Sequence, residues 1–121
     1  MASCLIADDS KVIRLLLAKI MVNLGFSVIE AEDGEDVIEQ TQLQEPDFII
    51  MDWNLPLMDG IDVLYKIKSL KLRVRPKVIF CSSSADLTRI EQAINGGADD
   101  YIIKPFDEDI ISAKLTILGL L

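Results

Sequence analysis

The sequence predicts an α/β fold: a doubly wound sheet of five parallel strands with five helices on its two faces, three layers in all. Three observations carry that expectation. Short apolar runs alternate five times with segments of helical hydrophobic spacing, and strict alternation of strand and helix implies a parallel sheet with right-handed crossovers. The run Phe48-Ile49-Ile50-Met51 is apolar without a break, which suits a strand buried on both faces. Four of the five predicted strands end on polar groups, at Asp8-Asp9, Asp52, Ser82 and Lys104. Parallel strands place such ends on one edge of the sheet, where open α/β folds bind ligands.

The elements follow in order. Ser3 to Ala7 is a short buried strand ending at Asp8-Asp9. Ser10 is placed to cap a helix whose positions Ile13, Leu16, Leu17, Ile20, Met21 and Leu24 fall at helical spacing. Gly25 ends it in the left-handed conformation. Phe26 to Glu30 alternates weakly and reads as a less buried strand. Asp33-Gly34 turns the chain into a helix over about Glu35 to Gln44, stopped by Pro46. Asp47 to Met51 is the third strand, and a loop through Pro56 and Asp59-Gly60 leads to a helix over about Ile61 to Leu70. That helix turns Val63, Leu64, Ile67 and Leu70 inward and its lysines outward. Pro76 precedes the strand Lys77 to Cys81; Ser84 or Asp86 then caps a helix carrying Leu87, Ile90, Ala93 and Ile94, closed by Gly96-Gly97. Asp100 to Lys104 is the last strand, and a terminal helix starts near Glu108.

The bulk numbers narrow the function. A chain of 121 residues is sized for one domain, residues 1–121, with one buried core. The balance of 12 basic and 20 acidic residues leaves a net charge of −8, so nucleic acid is not an expected partner. The start of the chain has no basic region and meets two aspartates after a few apolar residues. Neither a secretory signal nor a membrane span is expected, and a cytoplasmic protein is. Cys4 and Cys81 each lie inside an apolar run and read as buried small hydrophobes in a reducing compartment. The chain has no histidine, which removes Ser-His and Cys-His pairs and His-based metal sites. Its chemistry must run on carboxylates, hydroxyls and lysine.

Three carboxylates at one sheet edge repel, so either some take up protons or a divalent cation sits among them. Oxygen-only ligands point to a hard ion such as Mg²⁺. An ammonium from Lys104 and a hydroxyl from Ser82 complete a site shaped for a phosphoryl group.

With those residues the chain resembles the receiver domains of two-component response regulators. The motifs are Asp8-Asp9, the stretch Asp52-Trp53-Asn54-Leu55-Pro56-Leu57-Met58-Asp59-Gly60, Ser82, and Gly97-Ala98-Asp99-Asp100-Tyr101-Ile102-Ile103-Lys104-Pro105-Phe106. Each is weak alone; together, in order and at strand ends, they are specific. Size and form look most like the stand-alone chemotaxis and cell-cycle regulators, with the receiver portion of a longer regulator as the alternative. Leu55 stands where the family often has methionine.

The resemblance implies a flavodoxin-like sheet of order 2-1-3-4-5 and a cis Lys104–Pro105 bond. It implies that Asp52 is the phosphoacceptor, taking the group from a phosphohistidine on a sensor histidine kinase or a histidine phosphotransfer protein. Mg²⁺ would be held by Asp9, Asp52 and the main-chain carbonyl of Asn54, with Asp8 acting through water. Lys104 would pair with phosphoryl oxygens, Ser82 would hydrogen-bond one of them, and Tyr101 would fill the space Ser82 leaves. Asn54 and Ser84, both small and polar, would shield the site poorly from water, so self-dephosphorylation is expected to be quick. Such a protein is a switch that acts only on itself, not an enzyme. Its output is binding to a downstream protein through the fourth helix, fifth strand and fifth helix. The surplus of Ile110, Ile111, Leu115, Ile117, Leu118, Leu120 and Leu121 suggests a homodimer or partner contact there.

Two other classes fit less well. A Mg²⁺-dependent phosphatase of the haloacid dehalogenase type has a second aspartate two residues after its nucleophile, where this chain has Asn54. A flavodoxin-like cofactor binder needs a phosphate loop where Asp8-Asp9 would repel phosphate.

Overall fold

A computed structural model describes residues 2–121. The strands are β1 (Ser3–Ala7), β2 (Ser27–Ala31), β3 (Phe48–Met51), β4 (Lys77–Ser82) and β5 (Asp100–Ile103). The helices are α1 (Lys11–Asn23), α2 (Gly34–Gln44), α3 (Gly60–Ser69), α4 (Leu87–Asn95) and α5 (Glu108–Ile117). All strand pairs are parallel and the sheet order is β2-β1-β3-β4-β5, as expected.

Alternation along each strand divides the core into two layers. Leu5, Ala7, Ile49, Met51, Val78 and Phe80 face one side, with Val37 of α2, Val63, Leu64 and Ile67 of α3 and Ala93 of α4. Cys4, Ile6, Phe48, Ile50, Ile79 and Cys81 face the other, with Leu17, Ile20 and Met21 of α1 and Ile111 and Leu115 of α5. β1 and β3 are adjacent, and β2 lies on the outer side of β1. The direction of winding therefore reverses between them, which opens a crevice at their C-terminal ends.

The caps follow from local chemistry. The Ser10 hydroxyl accepts from the Ile13 N–H, Asp33 from Asp36, and Asp86 from Thr88, so Asp86 rather than Ser84 caps α4. Gly25 takes the positive φ of +97° past the end of α1.

Some faces differ from the helical periodicity. Leu16 is exposed, and Arg14 is buried instead. In α4 only Ala93 is buried, while Leu87 and Ile94 stand in solvent. Leu70 is half-buried and lies just outside α3, as its C-cap. In the last segment Leu118 and Leu120 pack partly against the core, leaving Ile110, Ile117 and Leu121 exposed. The surplus apolar surface there is smaller than the sequence suggests.

Candidate functional site

Register brings distant residues together. Ala7 pairs with Met51, and the Asp52 N–H donates to the Ala7 carbonyl at 2.9 Å. Asp8 and Asp52 thus follow directly on the last paired residues of the two central strands. Ser82 is the last residue of β4, and the Lys104 N–H donates to its carbonyl at 2.8 Å. The Lys104–Pro105 peptide is cis.

Lys104 Nζ donates to Asp8 Oδ2 at 2.8 Å and to Asp52 Oδ2 at 2.9 Å. One carboxylate oxygen from each of Asp8, Asp9 and Asp52 lies within 4.8 Å of the other two. Asp8 is buried, Asp52 half-buried and Asp9 exposed, so the cluster opens to solvent on the Asp9 side. The crowding of three carboxylates is relieved here by an ammonium, a third route beside protons or a metal. Burial works against the charge on Lys104, but hydrogen bonds to Asp8 and Asp52 and their negative charges outweigh it and raise its pKa above 10.5. An all-oxygen donor set, open on one side, fits a hard divalent cation.

The second carboxylate oxygens of Asp8 and Asp52 are also engaged. Asp8 Oδ1 accepts from the Ser10 N–H at 2.9 Å and Asp52 Oδ1 from the Asn54 N–H at 3.1 Å. Asn54 itself is exposed. The loop after Asp52 closes where the Gly60 N–H donates to the Trp53 carbonyl at 2.7 Å. A Cβ at Gly60 would stand 2.7 Å from Phe80 Cε1 and 2.9 Å from the Asp52 carbonyl oxygen, so only glycine fits that approach. Trp53 is buried, 5.2 Å from the Phe80 ring, and Arg89 of α4 lies over it at 5.1 Å.

Ser82 is buried, and its hydroxyl oxygen accepts from the Ser84 N–H at 3.2 Å. Tyr101 is buried too, and its hydroxyl donates to the Ser84 carbonyl at 3.2 Å. The short segment Ser82–Ser84 therefore carries both bonds. Cys81 lies beneath the site; burial pushes its thiol up to about 12, with Lys104 opposing and Asp52 and Asp8 adding to the rise.

The structure thus brings Asp8, Asp9, Asp52 and Lys104 into direct contact or near it, with Ser82 beside Lys104 in the backbone and Tyr101 tied to Ser84 through its hydroxyl. One residue was passed over in the sequence. Arg14 donates from Nη1 to the Asp8 carbonyl at 2.6 Å and from Nε to Glu30 at 3.3 Å. The available signal was a charge at the inward spacing of Leu17 and Met21 on α1.

Known proteins resemble this chain in sequence and in fold. Residues 4–116 match the response regulator receiver domain. The chain is 39% identical over 106 residues to the chemotaxis protein CheY of Bacillus subtilis, covering 87% of each. It is 36% identical over 103 residues to CheY of Thermotoga maritima, covering 84% of each. Among solved structures, CheY4 of Vibrio cholerae superposes with a TM-score of 0.89 at 24% identity, covering 100% of this chain and 99% of that one. The receiver domain of Francisella response regulator 1452 gives 0.87 at 28%, covering 98% and 96%. This chain belongs to the response regulator receiver domain family, CheY-like in kind, and is a phosphorylation-activated signalling switch of two-component systems.

Proposed function

We propose that Asp52 accepts a phosphoryl group from a phosphohistidine on a sensor histidine kinase or a histidine phosphotransfer protein. The observation that carries this reading is the ammonium of Lys104, shared between Asp8 and Asp52 in a cluster that also includes Asp9. In the transfer a carboxylate oxygen of Asp52 forms a bond to phosphorus as the P–N bond to the donor imidazole breaks. The remaining carboxylate oxygen keeps Asp52 aligned through the Asn54 N–H or Lys104. Lys104 then exchanges a carboxylate for a phosphoryl oxygen without leaving its place, and the Ser82 hydroxyl donates to another. Asp9, Asp52 and the Asn54 carbonyl would hold Mg²⁺, with Asp8 contributing through water; bound there, the ion would offset the charge of the incoming oxygens.

The phosphoryl group adds about −1.5 to −2 charges. Movement of Ser82 towards it would draw on Ser84, whose carbonyl holds the Tyr101 hydroxyl. Tyr101 then follows, and the change reaches α4, β5 and α5. Exposed Leu87, Ile94, Ile103, Ile110 and Ile117 on these elements favour a downstream protein or a second copy of this chain as the occupant of that face. Residues 1–121 act as one receiver domain, in the cytoplasm, on themselves alone. Asn54 is exposed and Ser84 half-buried, so water reaches the acyl phosphate and the signal decays quickly; persistence for many hours in Mg²⁺ contradicts this.

The deciding experiment is incubation with acetyl phosphate and Mg²⁺, followed by intact-mass measurement. The wild type gains one phosphoryl group and Asp52→Asn does not. Equal labelling of both overturns the assignment.

A further inference from the structure

The guanidinium of Arg14 is buried on the inner side of α1, and the phosphoryl chemistry leaves it without a task. Its Nη1 donates to the Asp8 carbonyl at 2.6 Å, its Nε donates to Glu30 Oε1 at 3.3 Å, and Nη2 lies 3.7 Å from Glu32 Oε1. Asp8 is consequently held at three acceptors: its carbonyl by Arg14, Oδ1 by the Ser10 N–H and Oδ2 by Lys104.

A peptide group is planar, so fixing the Asp8 carbonyl fixes the plane through which the chain enters Asp9. Asp9 has no such burial of its own; its place in the cluster depends on that plane. A guanidinium suits the purpose, because its rigid fork can hold a carbonyl and a carboxylate at once, whereas an ammonium is a point charge on a flexible stem. Glu30 is the next-to-last residue of the edge strand β2, and through Arg14 that strand braces the end of β1.

We propose that Arg14 is a positioning residue for the acidic pair: held by Glu30, it clamps the Asp8–Asp9 peptide and so sets how well Asp9 and Asp52 together bind a divalent cation. The inference rests on the divalent-cation reading of that cluster. A merely structural Arg14 would change melting temperature and leave cation affinity alone.

The test is a Mg²⁺ titration of the full chain, followed by the fluorescence of Trp53, the chain's one tryptophan, beside Asp52. Melting curves accompany wild type, Arg14→Gln, Arg14→Lys and Glu30→Gln. The dissociation constant for Mg²⁺ is expected to rise about ten-fold in both Arg14 variants and by less in Glu30→Gln, as for groups that orient metal ligands. Phosphorylation by acetyl phosphate should fall at low Mg²⁺ and recover at saturating Mg²⁺. Affinities within about two-fold of wild type in the folded variants overturn the proposal; if Arg14→Gln does not fold, Arg14→Lys and Glu30→Gln decide it. A wild type that ignores Mg²⁺ overturns the cation reading itself, which the wild-type arm reveals before any variant is compared.

Discussion

The hydroxyl of Tyr101 donates to the carbonyl of Ser84 at 3.2 Å, so the aromatic on the fifth strand is tied to the segment that follows Ser82. Breaking that bond alone separates its role from that of the ring. Tyr101→Phe should cost about 0.5–1.5 kcal/mol of stability and leave acetyl-phosphate labelling of Asp52 unchanged. Amide exchange over residues 83–95 should rise in the unphosphorylated protein. Unaltered exchange there would show that the hydrogen bond does not hold the segment.

Lys104 makes a pH-dependent contribution. Its pKa is raised above 10.5 in the folded protein, so folding favours the protonated lysine. That stabilisation is complete below its unfolded value and is lost as pH rises through the higher folded one. Urea midpoints of the wild type should therefore fall above about pH 10.5, and Lys104→Met should lack that component. At neutral pH the variant should lose up to about 3–5 kcal/mol, the range for breaking a buried ion pair. Added Mg²⁺ should return part of the loss, because a cation relieves the repulsion between Asp8 and Asp52.

Gly60 is a steric test of the loop that carries Asn54. An added methyl meets Phe80 and the Asp52 carbonyl oxygen at 2.7 and 2.9 Å. Gly60→Ala should lower stability by about 1–3 kcal/mol, as overpacking does. It should also slow Asp52 labelling, because the Asp52 backbone has to shift. A urea midpoint equal to wild type would mean that the loop yields more freely than its packing suggests.

The two cysteines should be inert in the native state. Burial pushes the Cys81 thiol up to about 12 and raises Cys4 further still, and the thiolate is the reactive form. Iodoacetamide at pH 8 should label neither until denaturant is added. Rapid native labelling of Cys81 would reveal opening of the sheet edge beneath the site.

Much of this was legible before any coordinates. β1 and β3 lie within a residue of their predicted bounds because an unbroken apolar run flanked by polar residues has one stable placement, inside a parallel sheet. The residue types at the site were legible for a related reason: Asp8, Asp52, Ser82 and Lys104 each stop such a run. Helical faces were harder. Residue type sends an arginine outward and a leucine inward, yet Arg14 is buried and Leu16 exposed, because the guanidinium finds a carbonyl and two carboxylates within reach. The α4 face was misjudged for Leu87 and Ile94 because that helix buries only Ala93, with Ile90 partly packed beside it. The sharing of Lys104 between two carboxylates was not legible at all. It depends on the sideways distance between strands, which no single strand encodes.

Strand order also sets a clock on the making of this protein. The carboxylates emerge early in synthesis, at residues 8, 9 and 52, whereas the lysine that joins two of them is residue 104. A nascent chain still lacking its fifth strand holds Asp8 and Asp52 without the ammonium that pairs with both. The paired charges of the site therefore form together, only once residue 104 has been made.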